Sequence, residues 1–105
     1  MDAYLDSIPL FIFGILLLVL GWFNYKGNIS SIHWYNRRRV LPEDVPAFGK
    51  LMGIGTIVIG ASLMLTAALG LVLHSEAVYA VSLGGIVVGI GFMVYAMLKY
   101  NHGFF

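Results

Sequence analysis

Few residues in this chain are equipped for chemistry, and their spacing limits what they can do. Three histidines, His33, His74 and His102, are the candidate metal ligands, and zinc needs three or four such donors converging on one point. His74, Ser75 and Glu76 supply the side-chain types of a hydrolytic triad in consecutive positions. Successive residues point in different directions, however, and a triad works through convergent geometry. Asn28, Ile29 and Ser30 spell a glycosylation sequon. Thr56, Ser62, Thr66 and Ser82 punctuate long apolar runs, where each hydroxyl can satisfy itself on a carbonyl of its own helix. No glycine-rich loop leads into Lys and Ser or Thr, so no phosphate cradle is implied. The absence of cysteine excludes disulfides, thiolate metal sites and a cysteine nucleophile. No catalytic, cofactor-binding or metal site emerges, and the expectation is a protein that is not an enzyme and needs no cofactor.

The elements that carry these residues are apolar. Of 105 residues, 60% are hydrophobic and 10% charged, with a mean hydropathy of +0.91. A small soluble domain buries only about 60% of the surface of its unfolded chain, too little to hide this much apolar surface, so the rest is expected to face lipid. A membrane helix needs about 20 apolar residues. The sequence predicts an all-α membrane protein with three transmembrane helices, over 5–25, 48–73 and 77–98, in one transmembrane domain covering 1–105. Asp6, Ser7 and Pro9 read as start signals for the first span, and Asp44 with Pro46 for the second. The turn at His74 to Glu76 is short enough to make the last two spans antiparallel neighbours. Asp2 and Asp6 precede the first run where a secretion signal would need a basic start, so that run is expected to be a retained helix.

Orientation follows from the six basic residues. Lys26, Arg37, Arg38, Arg39 and Lys50 fall between the charge-free runs of spans one and two, the second of which starts at Leu51, and Lys99 follows span three. With three spans these share one side, and positive residues stay inside, so the prediction is N-out and C-in with a basic cytoplasmic loop at 26–47. This topology puts His33 and His102 on one side and His74 on the other, which separates the histidines, and it places the sequon where glycosylation does not reach. In the loop, Trp34 and Tyr35 are expected at headgroup depth, with Arg37, Arg38 and Arg39 facing anionic lipid or a partner. Glu43 and Asp44 suit the positive N-terminal end of the second helix, or alternatively pair with the arginines and fold the loop into a compact cap. The cluster is too short and too close to the membrane for a nucleic-acid role.

Small residues mark the packed faces. Gly49 and Gly53 form a GxxxG continued by Thr56 and Gly60, and Gly85 with Gly89 form a second. In lipid, close backbone approach through small residues is a main driving force for helix association. The tight turn favours these two faces meeting within one subunit, and a face for another subunit is the alternative. Gly14 and Gly21, one heptad apart, give the first span a weaker packing signal. No span carries Asp, Glu, Lys, Arg or His at depth, which is where ion-coupled transporters and proton relays need them.

The run WYNRRRVLPEDVPAFGKLMGIGTIVIGASLM resembles the centre of a family of small bacterial membrane proteins grouped as a domain of unknown function. Tyr35, Asn36, Glu43, Asp44, Gly49 and Gly53 carry the resemblance, and the arginine triplet and Pro46 are its departures. The resemblance implies the same architecture in a bacterial inner membrane and no activity. The functional expectation is a structural, accessory or partner-binding membrane protein, in contact with lipid and with itself or another membrane protein. Two rivals remain: an oligomeric pore lined by Thr56, Ser62, Thr66 and Ser82, or an immunity or regulatory protein of the membrane.

Overall fold

A computed structural model describes residues 3–30, 32, 37–73 and 75–102, the first four of these by backbone alone. Three long helices dominate: α1 (Ala3–Tyr25), α2 (Val45–Val72) and α3 (Tyr79–Tyr100), with short 3-10 turns at Pro42–Asp44 and Glu76–Val78 leading into the second and third. All three are long and apolar enough to cross a membrane. The protein itself buries only 22%, 28% and 17% of these apolar stretches, so most of their surface needs an apolar surrounding.

Helix starts differ from the sequence reading in an instructive way. α1 begins at Ala3, which leaves Pro9 inside the helix at the loss of one intrahelical hydrogen bond. Ser7 is consequently not an N-cap; its hydroxyl donates to the Ala67 carbonyl of α2 at 3.2 Å. Asp44 does sit at the N-cap of α2, with Pro46 in the first turn, but its side chain makes no capping bond. Ser75 caps the turn before α3 by accepting from the Ala77 amide at 3.2 Å. α1 ends in a Schellman motif, with Asn28 N–H on the Phe23 carbonyl, Gly27 N–H on the Asn24 carbonyl and Gly27 at φ +104°, a conformation that glycine tolerates best.

α2 is the central helix. α1 and α3 each pack along it, and among the described residues they share almost no contact with each other. Both seams are antiparallel; the α1 seam runs on a seven-residue period on both helices, and the α3 seam does so along α3. Against α1, Ser7 meets Ala67, Gly14 meets Gly60, and Gly21 meets Gly53. Against α3, Phe48 packs with Ala96, Gly55 lies on Gly89, and Thr66 bonds Ser82. The period matches that of left-handed helix pairs, with small residues in place of the usual Leu and Ile. The fully covered residues of α3 are Ser82, Gly89 and Ala96, and on α1 they include Ser7, Gly14 and Gly21: one heptad stripe on each outer helix.

The glycine faces therefore pair differently from the expectation. Gly49, Gly53 and Gly60 do not meet Gly85 and Gly89; they pack on α1, where a methyl on Gly53 would stand 2.5 Å from the Gly21 carbonyl oxygen. Gly85 and Gly89 instead approach Ser62, Gly55 and Ile59 on α2. The reason lies in helical geometry. Gly53 and Gly55 are two positions apart, so they look out from different sides of one helix.

Candidate functional site

The polar residues concentrate at one end of the bundle. The C-terminus of α1, the N-terminus of α2 and the C-terminus of α3 lie together there, which brings Lys26, Arg37, Arg38, Arg39, Lys50 and Lys99 to the same end. α2 is the longest helix, with 28 residues that span about 42 Å. Its first turns give the segment between α1 and α2 something to close over.

That closure is apolar at its centre. Phe48 is completely buried and, with Met52 and Ala96, forms a core against which Ile29, Ile32, Val40, Met97 and Tyr100 pack. Polar contacts then pin the segment from outside. Asn28 Oδ1 accepts from the amide and hydroxyl of Ser30 at 3.0 and 2.6 Å, so the sequon forms a local turn. The Asn24 amide donates to the Asn28 carbonyl at 2.8 Å. Arg37 Nε donates to the Ile32 carbonyl at 2.8 Å, while the Arg39 amide donates to Asn101 Oδ1 at 2.7 Å and its guanidinium to the His102 carbonyl at 3.3 Å. Asn101 is completely buried, and this latch joins positions 62 and 63 residues apart. The described parts of the segment, through Ile29, Ile32 and Val40, close over the bundle end. Trp34 and Tyr35, named with the arginines as the lipid or partner loop, lie outside the described residues, as do Asn36 and the histidines His33 and His74.

Lysines and aromatic rings alternate around this end. Lys26 stands 4.9 Å from the Trp22 ring centre, Lys50 5.4 Å from Tyr25, and Lys99 5.6 and 5.3 Å from Tyr95 and Tyr100. Each pair gains from the attraction of an ammonium for a ring face. Arg38 and Arg39 are exposed and Arg37 is half-buried.

The other candidate chemistry resolves into packing. Thr56 donates to the Met52 carbonyl at 2.9 Å and Ser62 to Val58 at 2.7 Å, each on its own helix. Thr66 and Ser82 do otherwise: Ser82 donates to Thr66 Oγ1 at 2.6 Å, and Thr66 to the Val78 carbonyl at 3.5 Å, so the pair ties α2 to the start of α3. Ser75 is engaged as a cap. Among the described residues no group of three His, Cys, Asp or Glu is placed to hold a metal ion.

Several residues that build the α3 seam and this end carry weaker signals in the sequence. Gly55 is one of two in-register glycines beside a GxxxG, and a seven-residue count from Phe48 to Ser62 would have found it. Asn24 and Asn101 are buried asparagines just inside and just beyond helix ends, where helix-terminal polar groups need partners; that position was their signal. No family model, curated protein or solved structure matches the chain, so the resemblance carried by Tyr35 to Gly53 draws no support from these comparisons.

Proposed function

We propose that the chain is a structural or accessory protein of a bacterial inner membrane, N-out and C-in, whose three spans hold a basic cap at the cytoplasmic surface for contact with lipid or with a membrane-protein partner. The observation that carries this reading is the gathering of all six Lys and Arg residues at one bundle end, ringed by tyrosines and a tryptophan. Basic residues are retained on the cytoplasmic side, and amphipathic rings favour headgroup depth. The cap displays Arg38 and Arg39 outward while its apolar residues close the bundle, which suits a surface for recognition rather than a cavity for catalysis. The hydroxyl set lends the pore reading little support: Thr56, Thr66 and Ser82 are buried within the subunit and engaged in hydrogen bonds there, and the half-buried Ser62 bonds the Val58 carbonyl of its own helix.

Topology reporters test the proposal. Fusion after Phe105 or insertion near Asn28 is expected to report cytoplasm, and insertion near Ser75 the outside. An external signal from the arginine segment overturns it.

A further inference from the structure

α3 carries a second pair of glycines outside its close contact with α2. A side chain added at Gly84 or Gly91 would meet nothing within 4 Å, whereas Gly85 and Gly89 are crowded by α2. Next to this bare strip, Leu51, Val88, Gly91, Phe92 and Tyr95 line an open apolar groove of about 370 Å³ between α2 and α3. Val88, Phe92, Tyr95 and Lys99 follow one another at helical spacing along one face, so the groove leads to Lys99, whose ammonium stands over the Tyr95 ring.

We infer that this groove holds one acyl chain of an anionic glycerophospholipid whose headgroup phosphate rests on Lys99. The inference deepens the proposed membrane reading and rests on it. The extent and the charge of the groove favour a lipid over a second copy of the chain. Its lining on α3 runs from Val88 to Tyr95, a rise of about 10 Å at 1.5 Å per residue, and it leads toward Lys99, whereas a packed helix uses the whole span, as both seams of this bundle do. The charge also lies at the headgroup end alone: the groove itself is lined by apolar and aromatic side chains and ends at a lysine, which attracts an anionic headgroup and does nothing for a helix in the hydrocarbon.

Native mass spectrometry of the full chain released from detergent micelles containing phosphatidylglycerol or phosphatidylcholine tests this. Phosphatidylglycerol is expected to be retained in preference. Lys99→Gln should reduce that retention about fivefold, the effect of one basic residue at an anionic surface, with Lys99→Arg retaining it. Gly91→Leu should abolish retention by filling the groove while leaving the bundle intact, since the added side chain meets open space. Equal retention of the two lipids, or retention untouched by Gly91→Leu, overturns the inference, as does a dimer that Gly91→Leu dissociates, which would make a second copy the occupant. Carbonate washing separates this result from the reading beneath it. A chain released from membranes overturns the membrane proposal, whereas a chain that stays embedded and selects no anionic lipid overturns the groove alone.

Discussion

A glycine's value here depends on what faces it, and the chain contains both extremes within one helix. At Gly85 an added Cβ would collide with the Ser62 side chain, and at Gly89 it would stand 2.5 Å from the Gly55 carbonyl oxygen; at Gly84 it meets nothing. Overpacking a fitted seam costs about 1–3 kcal/mol. Gly89→Leu should therefore lower thermal stability in detergent by an amount in that range, whereas Gly84→Ala should leave it unchanged or raise it. Equal effects at the two positions would show that the seam is not held by close backbone approach. Gly27 poses the other kind of demand: it has free space around it but a φ of +104°, so Gly27→Ala should destabilise through backbone strain, on the order of 1–2 kcal/mol. The Schellman motif depends on that conformation, and melting curves of the variant check it. None of this could be read from glycine content alone, because Gly84 and Gly85 are adjacent letters.

At the scale of elements, the three apolar helices were legible because each is an uninterrupted run long enough to span hydrocarbon. Their pairing was only half legible. GxxxG spacing drew notice to Gly49, Gly53, Gly85 and Gly89, but the period that orders both outer helices is seven, and Gly14 with Gly21 was its visible trace. The cap was less legible still, since it depends on Arg39 meeting Asn101 across 62 residues, and no local pattern encodes a contact of that range. Its weight can be measured. Removing the Asn101 side chain takes away the acceptor of the part-buried Arg39 amide, and a hydrogen bond of this kind is worth about 0.5–1.5 kcal/mol net. Asn101→Ala should thus lower stability in that range and speed hydrogen exchange at Arg39 and Val40, with the α1 seam unaffected. Unchanged exchange at those amides would mean that Phe48 and its apolar neighbours hold the cap without the latch.

For the molecule as a whole, the important fact is that α1 and α3 both depend on α2 and hardly on each other. Two seams on different sides of one helix, each with its own stripe of small residues, should fail separately. The chain is a convenient host for showing this because it has no cysteine, so introduced pairs cannot form mixed disulfides with native thiols. Cysteines replacing Ser7 and Ala67 report the α1 seam, where the Ser7 hydroxyl already lies 3.2 Å from the Ala67 carbonyl. Cysteines replacing Thr66 and Ser82 report the α3 seam, where the two hydroxyl oxygens are 2.6 Å apart, near enough for the roughly 2.05 Å bond between sulfurs after small adjustment. Into each pair Gly21→Leu is then introduced, which thrusts a side chain at the Gly53 carbonyl and Ile57. Loss of the Ser7 to Ala67 crosslink with the Thr66 to Ser82 crosslink retained is the expected result in membranes. Gly21 shares its seam with Ser7 and Ala67, so a wedge there splays α1 from α2 as a unit, whereas Thr66 and Ser82 pair on the α3 side of α2 and share no partner with Gly21. If Gly21→Leu weakens both crosslinks equally, α2 transmits the disturbance from one side to the other, and the bundle is one cooperative unit rather than two seams on a shared spine.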